Sequence, residues 1–491
     1  MLYLMNGLKK AGLIVLVLMI DAGLLASCGM INPVDRIALN KEVAAEAISA
    51  ATMPLSVYVV MGESGVPVAR ALTSASHCPM IRMDHTEVTM ELRARAQTLP
   101  LRTTRSARDD SKPSAFPLLT CEKTILPGTT SITIQGQSLP VVPSVINRIV
   151  VIGDTGCRIK KSDNAAQGCN DKSQYPFSTV AQAAANWKPD LVVHVGDYLY
   201  RENSCPKGNK GCEGSPWGYG WDAWSADFFS PAQPLLRAAP WVMVRGNHES
   251  CARAGQGWWR LIDPRPLVSG RDCIADKDDD SGDYSDPYAI PLGVDDQIIV
   301  LDSSNTPAKA IPAGSVMAHH YIDMYHKLDA LSQQATYNIG VNHHPILAFA
   351  AKENKQGKIS MLPGNEGLQS VFGALNPLYL PPRITTMLSG HVHVWEQISF
   401  SSDHPSQFVA GFSGTMEDIV PLPETVPENQ MPAPGAIVAH FSSWVNGFGF
   451  MTMERAGTGK WNVKIWDTNG KQVNACHIDG KRSVCDVAQA K

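Results

Sequence analysis

Five short apolar runs in the later part of the chain each stop at a cluster of polar residues and glycines. They span 148–152, 191–195, 241–244, 339–341 and 384–388. One such run alone fits either a strand or a buried helix, but five that each end in a polar tip predict strands. Helical stretches fall between them, such as 178–187 and 321–334. This order predicts a layered α/β domain with its site at the carboxyl ends of the strands.

The chain before residue 147 has a different pattern. Short β-like runs, such as 55–60 and 131–134, alternate with turns that contain Pro and Gly. The polar and charged stretch 99–113 is predicted to be a loop. We therefore predict a small β-rich domain over residues 46–146, in which we identify no chemistry.

Beyond the last polar tip the chain continues through β-like segments at 448–454 and 461–467. We assign these segments to the far sheet of the same domain, which is predicted to span residues 147–470. The tail at 471–491 contains two cysteines and is predicted to be held by a disulfide. The fold class that follows is α/β, preceded by a small β-rich domain.

The first residues have the features of a targeting segment. Two lysines precede an apolar run at 11–20, which is too short to span a membrane comfortably. The sequence Leu-Ala-Ser-Cys that ends at Cys28 resembles the bacterial lipobox, in which the Cys is acylated and becomes the first mature residue. Residues 1–27 are therefore predicted to be a lipoprotein signal peptide and 28–45 a tether, and Gly29 favours the outer membrane. The alternative is an ordinary signal peptide that contains a cysteine.

The composition and the charge of the chain limit the classes of partner that we expect it to bind. The 491 residues are 44% hydrophobic and 18% charged, which is ordinary for a soluble globular protein. The formal net charge is -4 and the isoelectric point is about 6.4, so the chain carries no excess of positive charge. We therefore expect no nucleic-acid duplex as a partner, because such a duplex is bound mainly through its phosphates.

The cysteines support export. There are eleven, and setting Cys28 aside leaves an even number, as an oxidising compartment favours. The sequence does not fix their connectivity. Nearest-neighbour pairing would join Cys78 with Cys121, Cys157 with Cys169, Cys205 with Cys212, Cys251 with Cys273 and Cys476 with Cys485. The alternative, a thiolate metal site, is not supported by any Cys-x-x-Cys sequence.

The five polar tips together offer two carboxylates, an amide and several imidazoles. Their sequences are Gly-Asp-Thr-Gly at 153–156, Gly-Asp-Tyr-Leu-Tyr at 196–200, Gly-Asn-His-Glu at 246–249, Asn-His-His-Pro at 342–345 and Gly-His-Val-His at 390–393. Carboxylate and amide oxygens with imidazoles suit Fe, Mn and Zn. Hydrolysis of a phosphate ester needs a hydroxide near neutral pH and a clamp on the charged oxygens, which two metals roughly 3.5–4 Å apart provide.

Each of these residues also has an ordinary structural interpretation when it is taken alone. Asp154 and Asp197 would cap the helices that follow them, and Asn247 would be a turn residue. A single buried His is more often a hydrogen-bonded core group than a metal ligand, and Tyr200 alone would more often be a core residue. The joint pattern of five tips favours a metal site.

In this order the five tips resemble the calcineurin-like metallophosphoesterases and, more narrowly, the purple acid phosphatases. The resemblance covers roughly residues 147–455 and implies a layered α/β/β/α domain that hydrolyses phosphate esters with two metal ions. Many relatives carry a His two residues after the first Asp. This chain has Gly156 there, as purple acid phosphatases do, and their compensating Tyr corresponds to Tyr200.

The resemblance implies a role for each residue of the site. The metal ligands would be Asp154, Tyr200 and His393 at the first metal, Asp197 as the bridge, and Asn247, His343 and His391 at the second. The family pattern has a Pro two residues after one ligand, which selects His343 over His344. His248 would contact the phosphate and protonate the leaving group, and Glu249 would orient it. The implied metal pair is Fe(III) with Zn, Mn or Fe(II).

The function that follows is that of an acid phosphatase-like phosphomonoesterase with a small phosphate ester as substrate. The same motifs fit a phosphodiesterase or a nucleotide pyrophosphatase. The alternative outside the enzymes is a non-catalytic surface lipoprotein, although none of the expected metal ligands is missing from the sequence. We expect the protein in the bacterial cell envelope, anchored through Cys28 at the outer membrane or the periplasmic face. The aromatic cluster of Trp217, Tyr219, Trp221 and Trp224 would either wall a substrate pocket or pack in the core.

Overall fold

Two large β-sheets form the centre of the computed structural model, which describes residues 55–354, 356–416, 422, 430–445 and 447–486. The predicted signal peptide, the tether and Cys28 lie outside the described residues. The described residues belong to one unit of the fold, Pro54–Lys491. In this described part of the chain, no helix is long and apolar enough to cross a membrane.

The strands of the N-terminal part are short. They are β1 (Ser56–Met61), β2 (Pro67–Thr73), β3 (Met80–Met83), β4 (Thr86–Thr89), β5 (Glu91–Ala94), β6 (Gln97–Leu99), β7 (Ser114–Phe116), β8 (Leu119–Thr124), β9 (Ile132–Ile134) and β10 (Gln137–Leu139). The runs predicted at 55–60 and 131–134 correspond to β1 and β9. The predicted loop at 99–113 begins at the last residue of β6 and contains the short helical turn Arg108–Asp110.

The later strands begin at the first predicted apolar run. They are β11 (Arg148–Ile152), β12 (Ile159–Lys160), β13 (Ala165–Ala166), β14 (Leu191–His194), β15 (Trp241–Met243), β16 (Tyr288–Pro291), β17 (Asp296–Val300), β18 (Tyr337–Val341), β19 (Ala350–Glu353), β20 (Ile359–Leu362), β21 (Ile384–Ser389), β22 (Trp395–Phe400), β23 (Ser406–Ala410), β24 (Val438–Trp444), β25 (Gly449–Gly457), β26 (Lys460–Asp467), β27 (Gln472–Asp479) and β28 (Arg482–Cys485). All five predicted runs form strands.

The helices lie between the strands. They are α1 (Phe177–Asn186), α2 (Trp221–Trp224), α3 (Gln233–Leu236), α4 (Gly255–Gly257), α5 (Asp279–Gly282), α6 (Val316–Ser332) and α7 (Glu366–Leu375). The short turns and π-helical segments are Glu63–Gly65, Lys161–Asp163, Ser225–Phe229, Asn247–Glu249, Trp258–Ile262 and Asp276–Asp278. Helix α6 begins earlier than predicted, because Ser315 caps its first turn by accepting a hydrogen bond from Ala318 N at 3.1 Å.

The two large sheets are mixed, with parallel strands at their centres. The first has the order β28-β27-β26-β25-β11-β14-β15-β1-β2-β8-β5, and β11, β14, β15 and β1 are parallel. The second has the order β16-β17-β18-β21-β23-β22-β24, and β17, β18, β21 and β23 are parallel. A smaller sheet, β10-β9-β3-β4, belongs to the N-terminal part.

Three layers of buried apolar side chains follow from this arrangement. Residues of both sheets, such as Val151 and Ile298, pack together between them. The outer face of the first sheet packs against helices through residues such as Val180 of α1. The outer face of the second sheet does the same through residues such as Tyr321 of α6. The order helix, sheet, sheet, helix confirms the layered α/β fold.

The N-terminal part is β-rich, as predicted, and its strands continue the first sheet. Strand β1 pairs in parallel with β15, where Val60 lies opposite Trp241. The Arg70 guanidinium of β2 donates to the carbonyls of Leu261 and Asp263 at 2.8 and 2.7 Å. The hydrogen bonding of the sheet is therefore continuous across the predicted boundary between residues 146 and 147.

The assignment of segments 448–454 and 461–467 to the far sheet is wrong. Strand β25 pairs with β11, where Met451 lies opposite Val151, and β26 pairs with β25. These strands and those of the tail, β27 and β28, therefore extend the first sheet. An alternating apolar pattern fits either sheet equally well, and the choice of partner is made by contacts between distant segments.

The structure confirms nearest-neighbour pairing of the cysteines. The disulfides are Cys78–Cys121, Cys157–Cys169, Cys205–Cys212, Cys251–Cys273 and Cys476–Cys485. The thiols that come together near Asp283 are thus in a disulfide and are not available as thiolate ligands. Cys476 and Cys485 join β27 to β28 within the described part of the predicted tail.

The buried carboxyl of Glu396 on β22 should make stability depend on pH. It accepts a hydrogen bond from Phe349 N at 3.0 Å, and burial raises its pKa from 4.5 to about 8. Below pH 4.5 it is neutral in both the folded and the unfolded state. As the pH rises towards 8 only the unfolded state loses the proton, so stability falls, by roughly 4–5 kcal/mol at most.

We therefore expect Glu396→Gln to raise the melting temperature above pH 7, with a gain that shrinks as the pH falls towards 4.5. Thermal unfolding of both proteins at a series of pH values measures this. A gain of equal size at pH 5 and pH 8 would contradict the expectation.

Candidate metal centre

Five strands of the two sheets end at one place and deliver predicted ligands there. In the first sheet, Asp154, Asp197 and Asn247 follow β11, β14 and β15. In the second sheet, His343 and His391 follow β18 and β21. The strands within each set are parallel, so their carboxyl ends lie side by side. The site is therefore built at the carboxyl edges of both sheets.

The backbone is strained behind three of these ligands. Asp154, Asp197 and His391 have φ angles of 52°, 58° and 70°. Residues other than glycine adopt this region at a cost of about 1–3 kcal/mol each, and such strain clusters at functional sites. Gly246 is required beside them, because an added Cβ would lie 2.1 Å from Asp197 Oδ1.

The phenol oxygen of Tyr200 is the centre of one group of ligands. It lies 2.8 Å from Asp154 Oδ1, 2.9 Å from Asp197 Oδ2 and 2.9 Å from His393 Nε2. His393 Nε2 is also 3.3 Å from Asp154 Oδ1. A hydroxyl has one proton to donate, so it does not satisfy three such neighbours at once. Lone-pair atoms that converge in this way form a set that a metal ion can bind.

The amide oxygen of Asn247 is the centre of a second group. It lies 3.0 Å from His343 Nε2 and 3.0 Å from His391 Nδ1. His343 Nε2 is also 3.1 Å from Asp197 Oδ2. Asp197 Oδ2 therefore contacts one member of each group, Tyr200 in the first and His343 in the second. A carboxylate that bridges two metals needs this position.

Two of the imidazoles are oriented by backbone carbonyls. His343 Nδ1 donates to Val195 O at 2.9 Å, and His393 Nδ1 donates to Met416 O at 3.0 Å. The Nε2 atom of each ring then directs a lone pair into the site. Outer hydrogen bonds of this kind fix the metal-binding tautomer of histidine. The set of carboxylates, phenol, amide and imidazoles therefore fits two metal ions.

The burial of the carboxylates also favours cations. Asp154 and Asp197 are only 0% and 1% exposed. Burial raises the pKa of Asp154, and burial together with the two carboxylates raises the pKa of Tyr200 well above its usual value. Buried carboxylates are costly unless cations neutralise them. A bound metal ion would do so and would lower the pKa of the phenol.

The buried carboxylate of Asp227, which the sequence analysis missed, joins the first two tips. Its Oδ2 accepts a hydrogen bond from Tyr200 N at 2.8 Å, and its Oδ1 accepts one from Cys157 N at 3.0 Å. Arg201 pairs with it at 2.5 Å. A Cβ added to Gly156 would lie 2.8 Å from Tyr200 N. The backbone of the second tip therefore leaves no room for a side chain at position 156.

His248 lies at the edge of the ligand groups. Its backbone N–H donates to Asp197 Oδ1 at 2.8 Å, and its ring packs on that of Tyr200 with centroids 3.8 Å apart. Its Nδ1 is 2.9 Å from Leu199 O, and its Nε2 is 3.8 Å from Asp197 Oδ2. Burial and the positive charge of Arg253 hold the pKa of His248 well below its usual value. This placement suits the predicted role outside the ligand set.

The structure differs from the prediction for Glu249. Its carboxylate faces the backbone of the second tip instead of His248, and accepts hydrogen bonds from Tyr198 N at 2.9 Å and Asp197 N at 3.2 Å. Burial, with Asp197 acting in the same direction, raises its pKa to about 8. Glu249 therefore holds the loop that carries Asp197, because the unpaired N–H groups of that loop need a buried acceptor.

Two charged residues that the sequence analysis missed contact the imidazole of His248. Arg253 Nη2 lies 2.6 Å from His248 Nδ1 and 2.5 Å from Nε2. Glu202 Oε1 lies 3.3 Å from His248 Nδ1. Glu202 follows the second tip and Arg253 follows the third, so closeness to the tips was the only signal in the sequence.

Other candidate residues take different positions. His344 lies beside the second group, with its ring centroid 4.2 Å from that of His391. Of the aromatic cluster, Trp224 is fully buried in the core, whereas the Tyr219 hydroxyl donates to Glu202 Oε2 at 2.9 Å. Both residues belong to the same buried core cluster, so core packing applies to them, and the pocket-wall interpretation stays a prediction.

Comparisons with known proteins give independent findings. The sequence profile of the calcineurin-like phosphoesterases matches residues 147–395. The fold is similar to that of purple acid phosphatase PPD1 from yellow lupin (Lupinus luteus) seeds, with a TM-score of 0.50 and 14% identity over 88% of this chain and 74% of that chain. It is also similar to PhoD, with a TM-score of 0.50 and 10% identity over 90% of this chain and 93% of that chain. No curated protein sequence matches the chain.

Proposed function

Because the chain belongs to the calcineurin-like phosphoesterase family and is therefore a metal-dependent hydrolase of phosphate esters, we propose that it acts on monoesters, as an acid phosphatase. The observation that carries the proposal is the convergence of two groups of ligands on Asp197 Oδ2. We assign Asp154, Tyr200 and His393 to the first metal, and Asn247, His343 and His391 to the second.

The chemistry is divided between the metals and the chain. When bound, two metal ions lower the pKa of water and neutralise charge on the phosphate oxygens. Asp197 holds the two groups of ligands next to each other. His248 lies beside them and donates a proton to the leaving oxygen, which keeps the electron pair of the broken P–O bond. Water supplies the oxygen that phosphorus gains, and the products are an alcohol and phosphate.

Metal removal tests the proposal. Protein loaded with Fe, Zn or Mn should hydrolyse 4-nitrophenyl phosphate, and a strong chelator should abolish the activity, because the ligand set holds two ions on which the reaction depends. The release of nitrophenolate is measured before chelation, after it and after metal is restored. Activity that resists chelation, or no activity with any of the three metals, would contradict the proposal.

A substrate panel tests the preference for monoesters. The loaded protein should turn over 4-nitrophenyl phosphate faster than bis(4-nitrophenyl) phosphate and a nucleotide pyrophosphate. The reverse order would leave the metal chemistry in place and assign the protein to the phosphodiesterases or nucleotide pyrophosphatases.

We propose Fe(III) at the first group and Zn, Mn or Fe(II) at the second. The first group contains the phenol of Tyr200 together with two carboxylates, and hard anionic oxygens suit a trivalent ion. The second group offers an amide oxygen and two imidazoles with one carboxylate, which suit a divalent ion.

We further propose that a lipid on Cys28 attaches the mature protein to the bacterial cell envelope, at the outer membrane or the periplasmic face. The Leu-Ala-Ser-Cys sequence supports this. The disulfides support export as well, because disulfides persist mainly in oxidising compartments.

Substitution of the lipid-bearing residue tests this location. Cys28→Ala should move the protein from the membrane fraction to the soluble one or block its maturation, which cell fractionation and immunoblotting measure. The double variant Cys205→Ser/Cys212→Ser removes a disulfide and should stay with the membrane. Unchanged membrane association of Cys28→Ala would refute the anchor.

A further inference from the structure

The hairpin that follows the first tip lies against the first group of ligands. Its strands β12 and β13 lie between Cys157 and Cys169, which a disulfide joins. On one side of the hairpin, Ile159 N donates a hydrogen bond to Tyr200 O at 3.1 Å. The hairpin is therefore bound to the segment that carries the phenol ligand, and the disulfide closes its base.

The side chain of Gln167 ties the other side of the hairpin to the segment that orients His393. Gln167 Oε1 accepts hydrogen bonds from Arg158 N at 2.9 Å and from Met416 N at 3.0 Å. Met416 O in turn accepts the hydrogen bond from His393 Nδ1. The hairpin is thus connected to two of the ligands that we assign to the first metal, and its position beside them is fixed.

One face of the hairpin carries two cations, Arg158 and Lys160, which we call the β12 cations. Ile159 between them is buried, whereas both cations are partly exposed, because successive side chains of an extended segment point to opposite faces. Asp163 Oδ2 lies 2.7 Å from Arg158 Nη2 and 3.1 Å from Lys160 Nζ. Lys160 therefore shares this carboxylate with a second cation, which compensates its charge only in part.

The charges of the β12 cations reach the metal centre. Burial and the charge of Arg253 hold the pKa of His248 low, and Lys160 acts in the same direction. Burial and two carboxylates raise the pKa of Tyr200, and the charge of Arg158 acts against them. Charges interact over such distances where protein displaces water. The β12 cations therefore lie beside the ligands, although they do not belong to the ligand set.

The carboxylate of Glu202 also lies within reach of Lys160, but it already has a partner. Arg253 Nε donates to Glu202 Oε2 at 3.0 Å. Although burial opposes it, the charges of Arg253 and Lys160 hold the pKa of Glu202 below its usual range. Glu202 is thus paired with Arg253, and Asp163 is shared by the β12 cations. Positive charge remains at this edge of the centre, and a cleft edged with positive charge attracts anions.

We propose that the β12 cations bind a second anionic group of the substrate, a carboxylate or a further phosphate, and so select phosphate monoesters that carry additional negative charge. The inference rests on the proposed function. In that function the metal ions neutralise the phosphate that reacts, so cations outside the ligand set serve another part of the molecule. Ammonium and guanidinium groups suit this role, because both donate charge-assisted hydrogen bonds to carboxylate and phosphate oxygens.

Two pairs of esters test this selection. Glycerol 3-phosphate and 3-phosphoglycerate differ by a carboxylate in place of an alcohol, and fructose 6-phosphate and fructose 1,6-bisphosphate differ by a phosphate. In at least one pair, the metal-loaded wild type should have a kcat/KM roughly 10–100-fold higher for the more charged ester, the scale of hydrogen bonds to a charged group. The release of phosphate measures all four rates, and the pair that responds identifies the group. No preference in either pair would overturn the proposal.

Substitution of Lys160 tests the residue assignment. Lys160→Gln should lower the ratio of the two kcat/KM values within the responding pair by roughly 10-fold, and Lys160→Arg, which keeps the charge, should restore most of it. Arg158→Gln should lower the same ratio. Lys161→Gln is the matched control, because the Lys161 ammonium pairs with Asp110 of the loop at 99–113 and should leave the ratio unchanged. Equal losses on both members of the pair in Lys160→Gln would overturn the proposal.

The salt dependence of the wild type gives a second test, which stands even where a variant does not fold. The preference for the more charged ester should shrink as sodium chloride is added, because salt screens charges that are partly exposed. A preference that does not change with salt would overturn the proposal. Wild-type protein inactive on all four esters would overturn the proposed function and this inference together, whereas active protein without the preference would overturn the inference alone.

Discussion

His248→Ala should lower turnover by roughly 10²–10⁴-fold, the usual scale of general acid–base catalysis, and leave the metals bound. The imidazole packs on Tyr200 at 3.8 Å and its Nε2 stays 3.8 Å from Asp197 Oδ2, so it lies beside the ligands without belonging to them. On the proposed assignment, its removal takes away the proton donor without removing a metal ligand. The test combines kcat on a phosphate monoester with elemental analysis of the purified variant.

The metal content decides between two roles for His248. A variant that has lost metal together with activity would show that His248 is a ligand. His477→Ala is the matched control, because His477 is an exposed histidine on β27 that contacts Asn462 at 2.8 Å. It should keep the turnover and the metal content of the wild type.

Iron-loaded, oxidised protein should be pink to purple, and Tyr200→Phe should remove this colour completely. A phenolate bound to Fe(III) gives a charge-transfer band in the visible, and the metal lowers the pKa of the phenol far below its free value of about 10. The phenol oxygen lies within 2.9 Å of Asp154, Asp197 and His393, so it is in place for the first metal. Visible absorption spectra and iron content measure the effect.

Tyr198→Phe is the matched control for this substitution. The Tyr198 ring stacks on His194 with centroids 3.8 Å apart, and its hydroxyl lies 3.6 Å from Met243 Sδ within the core. The colour should survive this change. A fully active protein without colour in its native metal state, or an unchanged spectrum in Tyr200→Phe, would remove the purple acid phosphatase assignment and leave the phosphoesterase in place.

The ligand groups were readable from the sequence because each ligand is set by its own neighbours. An apolar run forms a buried strand, and the glycine and polar residues that follow end it. Asp154, Asp197 and Asn247 occupy that position after three strands, and His343 and His391 occupy it after two more. Because parallel strands in one sheet bring their carboxyl ends together, the sequence order was enough to predict that the residues within each set meet, and the resemblance to the family joined the two sets.

The surroundings of the site were not readable in the same way. Glu202 and Arg253 reach His248 from different segments, and Asp227 reaches Tyr200 from a third. None of these residues occupies a fixed place after a strand. The contacts of Glu249 were not predictable from the sequence either. Its carboxylate accepts a hydrogen bond from Tyr198 N instead of binding its sequence neighbour His248.

The sequence by itself determined the layered fold, the strand tips and the polar residues that these tips present, since these depend on local patterns of apolar and polar positions. Only the tertiary structure decided that β1 joins β15, that β25 joins β11, and that the loop at 99–113 contacts Tyr219. These contacts join segments far apart in the chain. Pairing between such segments depends on the fit of whole surfaces, which no local pattern specifies.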